Sequence, residues 1–318
     1  MTALILAFPG IEALAKDLAN RLGAETATID IHRFPDGESL VALPENIEGR
    51  DVIFLATLRD PDVLALPLRF AAATARELGV LRVGLVAPYL GYMRQDKRFA
   101  PGQAVTAPLF AQFLEDSFDW LVTADPHLHR IPSLDRIFGI PAIRVKAAPL
   151  IADWIGREVP DAVILGPDSE SQQWVAEVAR IAERPFEVLT KVRSGDRQVD
   201  ISVPESSALK HGTPVVLDDI ASSGRTMIRA IEHLIAAGSS PPICVIIHAV
   251  FAGSAYEDVL AAGAARVITT DSIPHITNAI TLADPLAASI TFAMSAIVES
   301  PDGQNSGRSN EFPMELKT

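Results

Sequence analysis

The sequence is short of three things, and each shortage narrows what the chain does. Cysteine occurs once, as Cys244, so no disulfide can close within the chain and a reducing compartment is the natural reading. Basic residues are in deficit: 27 Lys and Arg stand against 40 Asp and Glu, a formal net charge of −13. A broad nucleic-acid surface needs the opposite balance, although a local pocket can oppose the global sign and take a small anion. Apolar runs are short, and none reaches the length of a membrane-crossing helix. The stretch MTALILAF lacks a basic leader and is expected as a first strand rather than a signal peptide. These readings favour a cytoplasmic protein acting on small molecules, with no nucleic-acid and no membrane partner.

What is plentiful is apolar residues, 48% of 318. That supports substantial buried cores, and the length suits two ordinary domains. Short apolar stretches such as TALILAF, DVIFLAT, LRVGLVAPY and FDWLVTAD read as strands. Between them IEALAKDLANRL, DVLALPLRFAAATARELG and APLFAQFLEDS have helical spacing. After IPAIRVKAAPLIADWI the alternation restarts, with DAVILGPD, PFEVLTK, TPVVLDD, PICVIIHAVF and ARVITTD as strands. Strands that are apolar on both faces and alternate with helices predict mainly parallel sheets covered on both sides. The expected units are residues 1–147 and 148–300, followed by a polar, breaker-rich and flexible tail, 301–318. ELGVLRVGLVAPYLG and AAGSSPPICVIIHAVFAG share the order helix end, strand, loop, which points to duplication.

One stretch carries the most chemistry. TPVVLDDIASSGRTM, residues 213–227, puts Asp218 and Asp219 at the end of an apolar run, just before the helical RTMIRAIEHLIAAG. Ligands of open parallel sheets sit at the carboxyl ends of strands. The loop can aim backbone N–H groups of Ser222, Ser223, Gly224, Arg225 and Thr226 at one point, where the helix N-terminus adds partial positive charge. That suits a phosphate. The two acids would repel the same phosphate, but they suit adjacent sugar hydroxyls. A ribose 5-phosphate meets both demands. The alternative is an acidic turn in which Ser222 or Ser223 caps the helix.

Other stretches hold candidate ligands. In RFPDGE, Asp36 and Glu38 flank Gly37 in a turn and could accept bonds from an adenine amino group or a sugar; a plain surface turn is the alternative. In RQDKRF, Arg94 can fork onto phosphate oxygens or stack on a purine, and Gln95 can bond a base or phosphate; a solvated charged loop is the alternative. His127 and Asp168 each lie at a strand end and could share a Mg²⁺ with waters and phosphate oxygens. His129 and His32 are read as structural. In TKVRSGD, Lys191 and Arg193 alternate after a strand, so in extended backbone they share a side. Two cations there could neutralise a phosphoryl group in transfer; an exposed hairpin edge is the alternative. Arg197 is left outside the expected site.

RFPDGE, APYLGYMRQDKRFAPGQAVTA, VTADPHLHRI, ILGPDSE with VLTKVRSGD, and VVLDDIASSGRT occur in an order that resembles the PRPP synthetase (ribose-phosphate diphosphokinase) family over roughly residues 1–290. The resemblance implies two tandem phosphoribosyltransferase-like (Rossmann-like) α/β domains. It implies diphosphoryl transfer from ATP to the C1 hydroxyl of ribose 5-phosphate, giving phosphoribosyl pyrophosphate (PRPP) and AMP. It further implies that His127 and Asp168 are metal residues, that Lys191 and Arg193 sit on a closing loop, and that a homodimer or larger assembly forms with ATP residues shared between subunits. Many members have an acid where this chain has Ser222, a glycine at Arg225, and glycines where it has Glu170 and Ser171. Those differences mark a divergent branch. The alternatives are a PRPP-dependent phosphoribosyltransferase, which leaves RQDKRF unexplained, and a non-catalytic relative, which would be expected to lack the acids or the Lys–Arg pair.

Overall fold

A computed structural model describes residues 3–128, 130–168, 171–194, 198–202, 209 and 211–298, with backbone alone at 173, 190–194, 198–202, 297 and 298. His129, Ser169, Glu170, Arg197 and the tail 301–318 lie outside the described residues.

The first half runs β1 (Leu4–Ala7), α1 (Glu12–Leu22), β2 (Glu25–Thr28), β3 (Asp30–Arg33), β4 (Ser39–Ala42) and β5 (Asp51–Leu55). It continues with α2 (Pro61–Glu77), β6 (Arg82–Ala87), α3 (Thr106–Glu115), β7 (Trp120–Ala124) and β8 (Ala142–Val145). The second half runs α4 (Ala148–Glu158), β9 (Ala162–Gly166), α5 (Gln172–Ala182), β10 (Phe186–Val188), β11 (Thr190–Ser194) and β12 (Gln198–Ser202). Then follow β13 (Thr213–Ile220), α6 (Arg225–Ala236), β14 (Ile243–His248), α7 (Ala255–Ala261), β15 (Arg266–Thr270), β16 (Asn278–Ile280) and α8 (Ala283–Val298).

Strands such as β7, β9 and β14 are buried at every position. Such strands need cover on both faces, which is why helices intervene and neighbours run parallel. One sheet has the order β2-β1-β5-β6-β7-β8, and the other β10-β9-β13-β14-β15-β16. All neighbours in both sheets are parallel. The expected parallel α/β architecture is therefore present, and the two sheets share one winding pattern. In each, the chain leaves an inner strand toward one edge, then returns and builds toward the other. That reversal falls between β9 and β13 in the second sheet. A reversal point opens a crevice at the strands' carboxyl ends.

The two halves are not separate bodies. Helix α8 packs back on α1, β7 and β8 of the first sheet. Arg82 binds the Asp51 carboxylate through two hydrogen bonds of 2.6 Å and donates a third, of 2.9 Å, to the Met294 carbonyl in α8. Arg21 pairs with Asp284 at 2.5 Å. One apolar core runs continuously from Ile5 and Trp120 through Trp154 and Ile164 to Leu286 and Ile290. The crevice of the second sheet thus opens against the first half.

Candidate active site between the two sheets

A cavity of about 810 Å³ lies at that crevice. It is lined from the second half by Asp168, Asp218, Asp219 and the run Ser222 to Thr226, and from the first by Arg94, Asp125, His127 and Arg130. Although the chain is acidic overall, five cationic side chains among the described residues line the cavity: Arg94, Arg130, Arg144, Lys146 and Arg225. Lys146 is paired with Glu177 at 3.0 Å.

Strand β13 reaches Ile220, so both acids lie within the strand and not beyond it. Its register places Asp218 opposite Ile246 and Ile220 opposite His248 of β14. The Asp219 N–H donates to Asp218 Oδ1 at 3.0 Å. Burial first, then the charges of Asp219 and Asp168, hold the Asp218 carboxyl well above the usual carboxylate range. Three acids converge there, and a bound cation or donating hydroxyls would relieve their repulsion.

The connection to α6 is consequently only Ala221 to Gly224. Two backbone bonds hold its outer side, from Phe251 N–H to the Ala221 carbonyl at 2.8 Å and from Ala252 N–H to the Ser222 carbonyl at 2.9 Å. Gly224 is the N-cap residue at φ +69°, and no side chain caps the helix. The positive φ favours glycine whatever the space, and a Cβ at Gly224 would stand 3.0 Å from Val259 Cγ2, a tight contact to a side-chain methyl. The acidic-turn reading with Ser222 or Ser223 as helix cap does not match this geometry. The first N–H groups of a helix have no partner within it, and the first residues of α6, Arg225, Thr226 and Met227, line the cavity.

His127 comes from the turn after β7. Its Nδ1 lies 2.5 Å from Asp219 Oδ2, so a first-half histidine touches a second-half acid. In the neutral ring this puts the proton on Nδ1 and the lone pair on Nε2, the arrangement in which a carboxylate orients a metal-binding imidazole. Asp168 follows β9 and accepts from Ser171, whose N–H is 3.4 Å from Oδ1; Ser171 Oγ donates to the Asp168 carbonyl at 2.7 Å.

The RQDKRF stretch is anchored. Asp96, its side chain only 1% exposed, accepts from the Arg130 backbone N–H and guanidinium, both at 3.0 Å. Lys97 and Arg130 both approach the Phe99 ring. Arg94 faces the cavity. Gln95 does not line it; its carbonyl accepts from Ala107 N–H and its Oε1 from Thr106 Oγ1. Asp36, Gly37 and Glu38 lie farther off, on the exposed turn of the antiparallel β3–β4 hairpin. There Gly37, at φ +93°, donates to the Phe34 carbonyl, and Glu38 N–H donates to Asp36 Oδ1. Lys191 and Arg193 occupy alternate positions of β11, opposite Ile201 and Val199 of antiparallel β12, rather than a loop after a strand. Their side chains lie outside the described atoms.

Three residues of this region carried no role in the sequence reading: Asp125, Arg144 and His248. Asp125 precedes His127 in ADPH, but Arg144 and His248 are remote in sequence and no motif marks them.

The chain is 31% identical over 279 residues to the ribose-phosphate pyrophosphokinase of Methanopyrus kandleri, with 87% of this chain and 94% of that one covered. It is 31% identical over 288 residues to the protein of the same name from Methanothermobacter thermautotrophicus, covering 90% and 99%. The crystal structure of phosphoribosylpyrophosphate synthetase from Mycobacterium smegmatis superposes with a TM-score of 0.80 at 23% identity, over 93% of this chain and 100% of that one. That last likeness bears on the fold alone. Fold and cavity together define a two-domain α/β protein of phosphoribosyltransferase type. The family profile for the N-terminal domain of ribose phosphate pyrophosphokinase matches residues 3–117, and that for the phosphoribosyl transferase domain matches 133–285. The chain belongs to the ribose-phosphate pyrophosphokinase family.

Proposed function

We propose that this cavity transfers the β,γ-diphosphoryl group of ATP to the C1 hydroxyl of ribose 5-phosphate, releasing PRPP and AMP. The observation that supports it best is the meeting of two halves. A sugar-phosphate loop alone would serve a transferase that consumes PRPP. Here His127 and Arg94 of the first half face Asp218, Asp219 and the Ser222–Thr226 loop across one cavity.

In this reading the N–H groups of Ser222, Ser223, Gly224, Arg225 and Thr226 hold the 5-phosphate. Asp218 and Asp219 accept from the ribose hydroxyls, which holds the C1 oxygen in line with the β-phosphorus. Arg94 pairs with ATP phosphate oxygens. Lys191 and Arg193, on the β11–β12 ribbon, stabilise the charge of the transferring group. Asp36, Glu38 and Gln95 belong to nucleotide recognition. Because the β3–β4 turn is exposed and does not line this cavity, Asp36, Gly37 and Glu38 are assigned to the cavity of a second copy in a homodimer or larger homo-oligomer.

His127 and Asp168 would hold Mg²⁺. Among the described residues no group of three or more His, Cys, Asp or Glu is placed to cage a metal ion. Magnesium keeps water and substrate phosphates as most of its ligands, so one imidazole and one carboxylate from the protein suffice. When bound, Mg²⁺ would neutralise β- and γ-phosphate oxygens and polarise the β-phosphorus. No helix of the described residues is long and apolar enough to cross a membrane, and we place the protein in the cytoplasm.

The test is the purified protein with ATP, Mg²⁺ and ribose 5-phosphate. AMP and PRPP should appear in equal amounts. ATP left intact, or AMP formed without PRPP, would end this reading. Consumption of PRPP with a nucleobase would favour a transferase instead.

A further inference from the structure

The two halves of the cavity meet through a buried polar bridge. Its centre is Asp125, the first residue after β7. Asp125 is 8% exposed and adopts φ +29°, a left-handed angle that is unfavourable for any residue with a Cβ. Something must hold it there. Its Oδ1 accepts from Arg144 Nε at 2.9 Å and from an Arg144 terminal nitrogen at 2.5 Å. Its Oδ2 accepts from the Ala147 backbone N–H at 2.6 Å, at the entrance to α4. Its own N–H donates to the Val145 carbonyl at 3.0 Å. Its carbonyl faces the other sheet, with His248 Nε2 at 3.2 Å.

His248 ends β14 and is wholly buried. Its Nδ1 lies 2.9 Å from Ser272 Oγ, and the Tyr89 ring stands edge-on with centroids 4.9 Å apart. A carbonyl can only accept, so in the neutral ring Nε2 carries the proton and donates to Asp125. The single proton of the Ser272 hydroxyl then lies between two acceptors, His248 Nδ1 at 2.9 Å and the Ile247 carbonyl at 3.1 Å. The neutral ring fits its burial.

Two residues after Asp125, His127 reaches Asp219. In the β13–β14 register, His248 stands opposite Ile220, next to the acids. The segment from Asp125 to His127 therefore lies across the ends of β13 and β14, fastened at one end by His248 and meeting Asp219 at the other. We propose that His248 and Asp125 are positioning residues: their bridge sets the placement of His127, a first-half group, against the second-half acids that take the sugar. This rests on the function proposed above and adds the element that holds the two halves in register. Neither side chain needs to touch substrate. The halves are also joined by Arg59, which donates to the carbonyls of Val250 and Phe251 at 2.8 and 2.9 Å. Loss of the histidine should therefore shift the segment without parting the domains.

The experiment compares His248→Leu, which fills the space without a donor, with His248→Gln, whose amide can donate to the Asp125 carbonyl. Turnover, ribose 5-phosphate affinity and thermal midpoint are measured on each. The nitrogen resonances of the His127 imidazole, assigned against His127→Ala, report its bond to Asp219 without reference to turnover. For the leucine variant we expect kcat to fall about 10-fold or more, since misplacement by about 1 Å can lower rates by some 10²-fold. Ribose 5-phosphate affinity should hold within about 2-fold, and the His127 resonances should move toward those of an exposed imidazole. The glutamine variant should recover most of both signals. Equal losses in the two variants, or unchanged His127 resonances in the leucine variant, would overturn the proposal. If the leucine variant does not fold, Asp125→Asn decides: it keeps the carbonyl bond but weakens the grip on Arg144 and Ala147, and unchanged kcat and His127 resonances there would equally overturn it. If the parent makes no PRPP yet the resonances move as expected, the bridge stands and the proposed reaction falls.

Discussion

Replacing Asp218 with asparagine should move stability and sugar binding in opposite directions. The Asp218 carboxyl is raised well above its ordinary range by burial and by Asp219 and Asp168. A carboxyl with a folded-state pKa above its unfolded value binds its proton more tightly when folded. Its ionisation therefore weakens the fold. That penalty is absent below the unfolded pKa, near 4; it grows as pH rises toward the raised folded value and is complete above it. The amide never ionises, and its oxygen can still accept the 3.0 Å bond from Asp219 N–H. In ligand-free protein, Asp218→Asn should melt close to the parent near pH 4 and above it at pH 8. Each kcal/mol of relieved repulsion is worth about 2–4 °C for domains of this size. Sugar binding should go the other way. Hydrogen bonds to charged groups contribute about 1.5–3 kcal/mol, so loss of one weakens ribose 5-phosphate binding roughly 10- to 150-fold. Sulfate, which needs only the loop and helix end, should bind as before or more tightly. Calorimetric titration of both ligands, with scanning calorimetry from pH 4 to 8, reads all three effects. A variant that melts below the parent at pH 8, or that loses sulfate and ribose 5-phosphate alike, would refute the reasoning.

Lys191→Ala should lower kcat by roughly 10²-fold or more, as for loss of a group acting mainly at the transition state, with an unchanged melting temperature; near-normal turnover removes it from the mechanism. His127→Ala should raise the Mg²⁺ concentration needed for half-maximal rate, and an unchanged magnesium curve would make the histidine purely structural. Gly224→Val puts a branched side chain at a left-handed angle and against Val259; sulfate affinity should fall at least about 10-fold, a backbone strain of about 1–3 kcal/mol adding to the clash, and intact sulfate binding would dissolve the phosphate cradle. Burial first, then Asp218, pushes the Cys244 thiol up to about 12, so native protein should resist iodoacetamide at pH 8 and react at once in denaturant; rapid native labelling would contradict its burial.

Much of the architecture is legible in the sequence. Runs such as VVLDD and CVIIH are apolar on both faces, and only a covered parallel sheet accommodates them. The local order behind the proposed phosphate loop is present too: acids at the end of β13, a short loop with one glycine, then α6. These properties depend on residues a few positions apart, so they survive in the linear text. The order of the family motifs along the chain already joins the two halves.

Other features depend on which distant segments meet. The sequence places Asp218 and Asp219 side by side, but only the fold brings Asp168 beside them and His127 onto Asp219, 92 positions away. The same holds for the return of α8 to the first sheet, for Asp96 gripping Arg130, and for the Asp125–His248 bridge across 123 positions. It also holds for the separation of Asp36 and Glu38 from the cavity that Arg94 enters. Local order is set by backbone geometry and side-chain period, which neighbours share. Burial, desolvation and the pairing of charges are set by packing in three dimensions, and a chain of short-range preferences does not encode them until the sheets close on one another.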